Sequence, residues 1–228
     1  MMSEPNLIRD PSLSAAPLRV ALVWAASLPP VTPRDSPGPW LATLLAKVKA
    51  AGAEGWLREG RKTAVRSMLR YGSYRPAGRA KPSSEYLLGA ATAEDFPIVN
   101  GPVDANNAAS LEFGYPASVF DLAVCGKDLL LKRGAKGDSY VFNPSGQTID
   151  LEDLLCVWRR GADGKDEPIG NPVKDAMTTK VFEGCSSVGA VIYAPDGEEG
   201  RDLEACAERL AGLLRDDCGA GEVSWKTA

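Results

Sequence analysis

Apolar residues are spaced unevenly along the chain, and their spacing separates strands from helices. From Val20 to Ala26 every residue is apolar, so a first strand covered on both faces is expected over Arg19 to Ser27. Behind Pro39, the residues Trp40, Leu41, Leu44, Leu45 and Val48 recur at spacings of three and four, which predicts a helix with one apolar stripe. A second helix is expected over Arg61 to Tyr71, with Val65, Met68 and Leu69 inward and Gly72 at its end. Pro82, Ser83 and Ser84 open a short third helix with Glu85 in its first turn.

The stretch from Phe96 to Asp121 joins a polar turn to a buried helix and then to a strand. Asn100, Gly101 and Pro102 read as the turn, with Asp104 as the helix cap. Ala105, Ala108, Ala109 and Leu111 form the apolar side, Gly114 stops the helix, and Tyr115 and Pro116 hold the chain extended. Short strands are expected over Phe120 to Cys125, Leu129 to Arg133, Tyr140 to Asn143 and Leu154 to Arg159, and Gly161 to Asn171 reads as a flexible connection. A buried strand over Ser187 to Ala194, a helix over Glu198 to Leu214 and a terminal strand over Val223 to Trp225 complete the pattern. The expected class is α+β, with a central mixed or antiparallel, barrel-like sheet flanked by helices, residues 1–17 as a loose arm and 18–228 as a single domain.

Composition narrows the chemistry. The chain has no histidine, which excludes the usual serine and cysteine triads that shuttle a proton through imidazole. Five cysteines, none closer than twelve residues to another, form no metal-ligand spacing and suit reduced thiols in a cytoplasm; no metal and no cofactor are expected. The apolar run near Leu18 to Leu28 is far shorter than the roughly twenty residues a bilayer span needs, so no membrane is expected as a partner.

Charge is more informative in its distribution than in its sum of −4. Arg61, Lys62, Arg66, Arg70, Arg75, Arg79 and Lys81 follow one another with no acidic residue between them, leaving −11 on the rest of the chain. Such a segment is either a solvated helix face with its loop or a phosphate-binding patch. Tyr74 beside Arg75 is either a packed loop tyrosine or a stacking group next to a phosphate contact.

The order VDANNAASLEFGYPASVFD resembles the signature of the B3/B4 domain, the editing module of the beta subunit of bacterial phenylalanyl-tRNA synthetase, which also occurs free-standing. The matching positions are Val103, Asp104, Asn107, Glu112, Gly114, Pro116, Phe120 and Asp121, and weaker resemblance extends over about residues 66–195. The resemblance implies a trans-editing deacylase that hydrolyses the ester of mischarged tRNA, with aminoacylated tRNA as partner, bound by its acceptor end, and not DNA. The alternative is a noncatalytic module of the same fold that binds tRNA or an amino acid.

Where the synthetase domain carries a histidine two residues after the proline, this chain has Ser118; where that domain carries a glutamate, the match falls on or near Val191. Lys174 and Asp175 stand as candidate catalytic residues, with a turn ion pair as the competing explanation. Asn106, Asn107, Ser118, Glu85, Thr179 and Lys180 are candidates for the substrate pocket. Arg66, Arg70, Tyr74, Arg75, Arg79 and Lys81 are candidates for tRNA binding.

Overall fold

A computed structural model describes residues 4–161 and 164–228. In chain order the elements are β1 (Asn6–Arg9), β2 (Leu18–Ala26), α1 (Pro39–Trp56), α2 (Arg61–Leu69), α3 (Ser83–Thr92), α4 (Gly101–Phe113), β3 (Ala117–Asp121) and α5 (Leu122–Cys125). They continue with β4 (Asp128–Arg133), β5 (Ser139–Val141), β6 (Thr148–Asp150), β7 (Leu155–Arg160), β8 (Asp166–Gly170), β9 (Ser187–Pro195), α6 (Leu203–Asp216) and β10 (Glu222–Thr227).

The class is α+β, as the pattern implies, but the strands form two open sheets and a hairpin, β5–β6, rather than a barrel. One sheet has the order β10-β2-β9-β3 and is antiparallel throughout. The other has the order β1-β4-β7-β8, with β1 parallel to β4 and the remaining pairs antiparallel. β2 and β9 are the inner strands of the first sheet, which explains their unbroken apolar runs: all nine residues of β9 are buried. Helix α6 covers that sheet with Leu203, Cys206, Ala207, Leu210, Leu213 and Leu214, and α4 packs behind it. Because α4 lies among α1, α3, α6 and β3, most of its residues are buried, and small side chains permit the close approach.

Several expectations change. The loose arm contains a strand, β1, whose Leu7 is buried and which adds an edge to the second sheet. The strand expected over Phe120 to Cys125 stops at Asp121, whose carboxylate accepts from the amides of Ala123 and Val124 and starts α5. The connection expected over 161–171 includes β8; its Ala162 and Asp163 lie outside the described residues. Asn100, not Asp104, caps α4, its side chain accepting from Val103 N at 3.1 Å. Asp104 is fully buried and ties the preceding loop to the helix by accepting from Val99 N at 2.8 Å.

Gly114 has φ 74° and ends α4, and a Cβ there would lie 2.9 Å from a Leu57 methyl. Among the described residues no helix is long and apolar enough to cross a membrane.

Candidate functional site

A cavity of about 410 Å³ opens where α3, the first turn of α4, β3 and the segment after β8 meet. Its walls are largely apolar, with Val103, Val119 and Val181 among them; its polar groups include Asn107, Lys174, Asp175 and Lys180. Tyr86, Val99 and Phe182 line it too, and all three are substantially exposed.

The local fold places Asp175 with few degrees of freedom. Asn171 follows β8, and its side-chain oxygen accepts from Val173 N at 2.8 Å and Lys174 N at 2.9 Å, folding the chain back on itself. Asp175 then reaches β3, where Oδ2 accepts from Val119 N at 3.1 Å. Its Oδ1 is sealed from solvent and has no hydrogen-bond partner, although the residue as a whole is part-exposed. Room for that oxygen comes from Gly170: a Cβ there would stand 2.7 Å from Oδ1 and 3.2 Å from Ser118. Burial pushes the Asp175 carboxyl up to about 7, against the opposing pull of Val119 N–H, Ser118 and Lys180.

Beneath Asp175 lies Ser118, fully buried, donating to Asn171 O at 3.1 Å and 3.0 Å from the Tyr193 hydroxyl. Tyr140 donates to Lys174 O at 2.5 Å and receives Asn171 Nδ2–H at 2.5 Å, so the turn that carries the two candidates is pinned from below. The Lys174 ammonium lies 3.6 Å from the centroid of Phe142. Its pKa is lowered by burial and by the nearby charges of Arg79 and Lys180. Lys180 donates to Phe142 O at 2.7 Å; burial lowers its pKa, with Asp175 opposing.

Of the pocket candidates, Asn107, Lys174, Asp175 and Lys180 converge on the cavity, with Ser118 directly behind it. The others serve elsewhere. Glu85 clamps Arg66 through two 2.6 Å hydrogen bonds and lies 3.7 Å from Lys62. Thr179 is buried and donates to Ile169 O at 3.1 Å, while Asn106 is buried in α4 outside the cavity.

The cationic segment also divides. Arg61 is a core residue, 3 % exposed, paired with Glu199 and Asp202, donating to Phe113 O and lying 4.3 Å from the Tyr115 ring centroid. Arg66 is neutralised by Glu85. Tyr74 is 8 % exposed and gives its hydroxyl to Ala80 O at 2.7 Å, so its ring is packing rather than a stacking surface. Arg75 and Arg79 line an open groove of about 840 Å³ on the other side of Lys174 and Phe142, with Asp150 and Glu152 also on its wall. Arg70 is exposed at the end of α2.

Asn171, Phe142, Tyr140, Tyr193 and Gly170 build the site, and the apolar pattern, which put Tyr140, Phe142 and Tyr193 in strands, gave none of them a place in it. Only Asn171, before a proline, had turn chemistry that pointed to its role.

No family model matches the chain, and no curated protein matches it. Among solved structures, the chain is similar to an N-terminal fragment of the phenylalanyl-tRNA synthetase beta subunit from Pyrococcus horikoshii, with 10% identity and a TM-score of 0.49. The match covers 98% of this chain and 52% of that one, so the chain spans about half the length of the structure it resembles.

Proposed function

We propose that the protein hydrolyses the ester of mischarged aminoacyl-tRNA, with Asp175 as general base and Lys174 as the oxyanion's electrostatic partner. The observation that carries this reading is a carboxyl with one sealed, unpartnered oxygen, bordering an apolar cavity that adjoins a groove bearing Arg75 and Arg79 across Lys174. The sequence signature at Val103 to Asp121 supports the same substrate class.

An aminoacyl ester is already activated, so positioning and charge stabilisation suffice without a covalent nucleophile. In the proposed step, ionised Asp175 takes a proton from water as the water oxygen bonds to the ester carbonyl carbon. Lys174 stabilises the negative charge that develops on the carbonyl oxygen. Collapse of this intermediate breaks the bond to the ribose oxygen, which leaves with the proton held by Asp175. A carboxyl titrating near 7 suits both transfers near neutral pH. The step requires Oδ1, covered at rest, to turn towards the cavity that the residue borders.

Ser118, in place of the family histidine, favours a second reading. It lies buried behind the cavity with its hydroxyl engaged, so it orients no water as it stands, which fits a module that binds without hydrolysing. Release of amino acid from a panel of correctly and incorrectly charged tRNAs separates the two. Hydrolysis of one mischarged species by the parent protein and not by Lys174→Ala or Asp175→Asn supports the deacylase. Binding of charged tRNA with every ester intact supports the binding module.

A further inference from the structure

Beside the cavity lies a second recess of about 410 Å³, lined by Gly78, Arg79, Lys81, Tyr86, Val173 and Lys174. Its volume falls within the roughly 300–1,000 Å³ of small-ligand pockets. Three cations line it and no acidic residue does. Among the described residues, Arg79, Lys81 and Lys174 form no ion pair, in contrast to Arg61 and Arg66 earlier in the same basic segment. Cations gathered without a counter-charge repel one another, and an anion placed among them relieves that repulsion.

The aromatic wall is Tyr86. Helix α3 buries Leu87, Leu88 and Ala91 on its core side, while Tyr86 is 49 % exposed. It lines both this recess and the Asp175 cavity, and so does Lys174. The Lys81 ammonium stands 5.7 Å from the Tyr86 ring centroid, so ring and cations occupy one small surface. A planar ring joined to an anion a few ångströms away matches this arrangement; neither an apolar side chain nor a bare anion uses both parts.

We propose that this recess binds one nucleoside monophosphate unit, its base stacked on Tyr86 and its phosphate held by Arg79 and Lys81. Under the hydrolase reading this unit is the 3′-terminal nucleotide of the RNA, and in that respect the inference rests on that reading. Asp175 does not line the recess.

The test is titration of the full chain with adenosine 5′-monophosphate, followed by NMR, with ribose 5-phosphate and inorganic phosphate as comparison ligands. Saturable binding is expected for the nucleotide, weakened about tenfold or more by Tyr86→Ala, preserved in Tyr86→Phe, and reduced by Arg79→Glu. Asp175→Asn is expected to leave it unchanged. Absence of nucleotide binding overturns the proposal, as does affinity that survives Tyr86→Ala or that ribose 5-phosphate matches. If the nucleotide binds through Tyr86 while no charged tRNA is hydrolysed, this site stands and the hydrolase reading falls. If hydrolysis occurs and Tyr86→Ala leaves nucleotide binding intact, the reverse holds.

Discussion

Asp175 is a carboxyl that the fold holds against its own stability, and replacing it by asparagine measures how strongly. Its folded-state pKa of about 7 lies above the ordinary 3.8, so the native state binds this proton more tightly than the unfolded chain does. The contribution is therefore fully present below pH 3.8 and is lost as pH rises towards and through 7. Integrating between the two values gives a loss of about 3 kcal/mol between pH 5 and pH 8. Asparagine keeps the carbonyl that accepts from Val119 N and removes the charge, so the loss disappears in Asp175→Asn. Urea denaturation of parent and variant at a series of pH values isolates the effect, because every other titrating group cancels in the difference. The variant's advantage over the parent is expected to grow by about 3 kcal/mol from pH 5 to pH 8, or about 1 M in urea midpoint. A difference that stays constant over this range would refute the assignment of a carboxyl whose pKa the fold raises at this position. A variant that gains stability at pH 8 while losing hydrolysis would mark a residue kept for chemistry at the expense of the fold.

Other consequences are simpler to check. With Asp175 in the proposed role of general base, the rate of ester hydrolysis is expected to rise with pH through about 7 and then level; a rate that falls over the same range contradicts that role. Gly170→Ala places a Cβ against Oδ1 and Ser118, and is expected to lower hydrolysis at least tenfold with circular dichroism unchanged. Arg61→Met removes the buried partner of Glu199 and Asp202, which both keep Arg58, and takes the donor from Phe113 O; it is expected to cost about 1–3 kcal/mol in denaturant unfolding. Arg79→Glu is expected to leave stability within about 0.5 kcal/mol while weakening RNA binding and flattening its salt dependence, read by filter binding across a salt series.

The parts of the fold most legible in sequence are those where one physical demand dominates. β2 and β9 are inner strands and had to be apolar throughout; α6 rests one face on a sheet, so Leu203, Cys206, Leu210 and Leu213 repeat at helical spacing. β8 was hidden because an edge strand containing Asp166, Glu167 and Pro168 has no apolar alternation to display. The run of cations looked like one surface because sequence does not show long-range pairing. The partners of Arg61, Glu199 and Asp202, lie far along the chain, and Arg66 meets Glu85 across two helices.

Lys174 and Asp175 stood out as adjacent charges in a turn, but the reason for their arrangement did not. That reason is assembled from Asn171, Tyr140, Val119 N–H and the missing side chain of Gly170, none of which the apolar pattern places at the site.

The most direct measurement is single-turnover release of amino acid from mischarged tRNA at pH 8 by the parent protein and by Asp175→Asn, with tRNA affinity measured in parallel. One mischarged species is expected to be cleared by the parent, with the variant slower by about a hundredfold or more and affinity unchanged. Equal rates in the two proteins, or charged tRNA bound with its ester intact by both, would contradict this expectation.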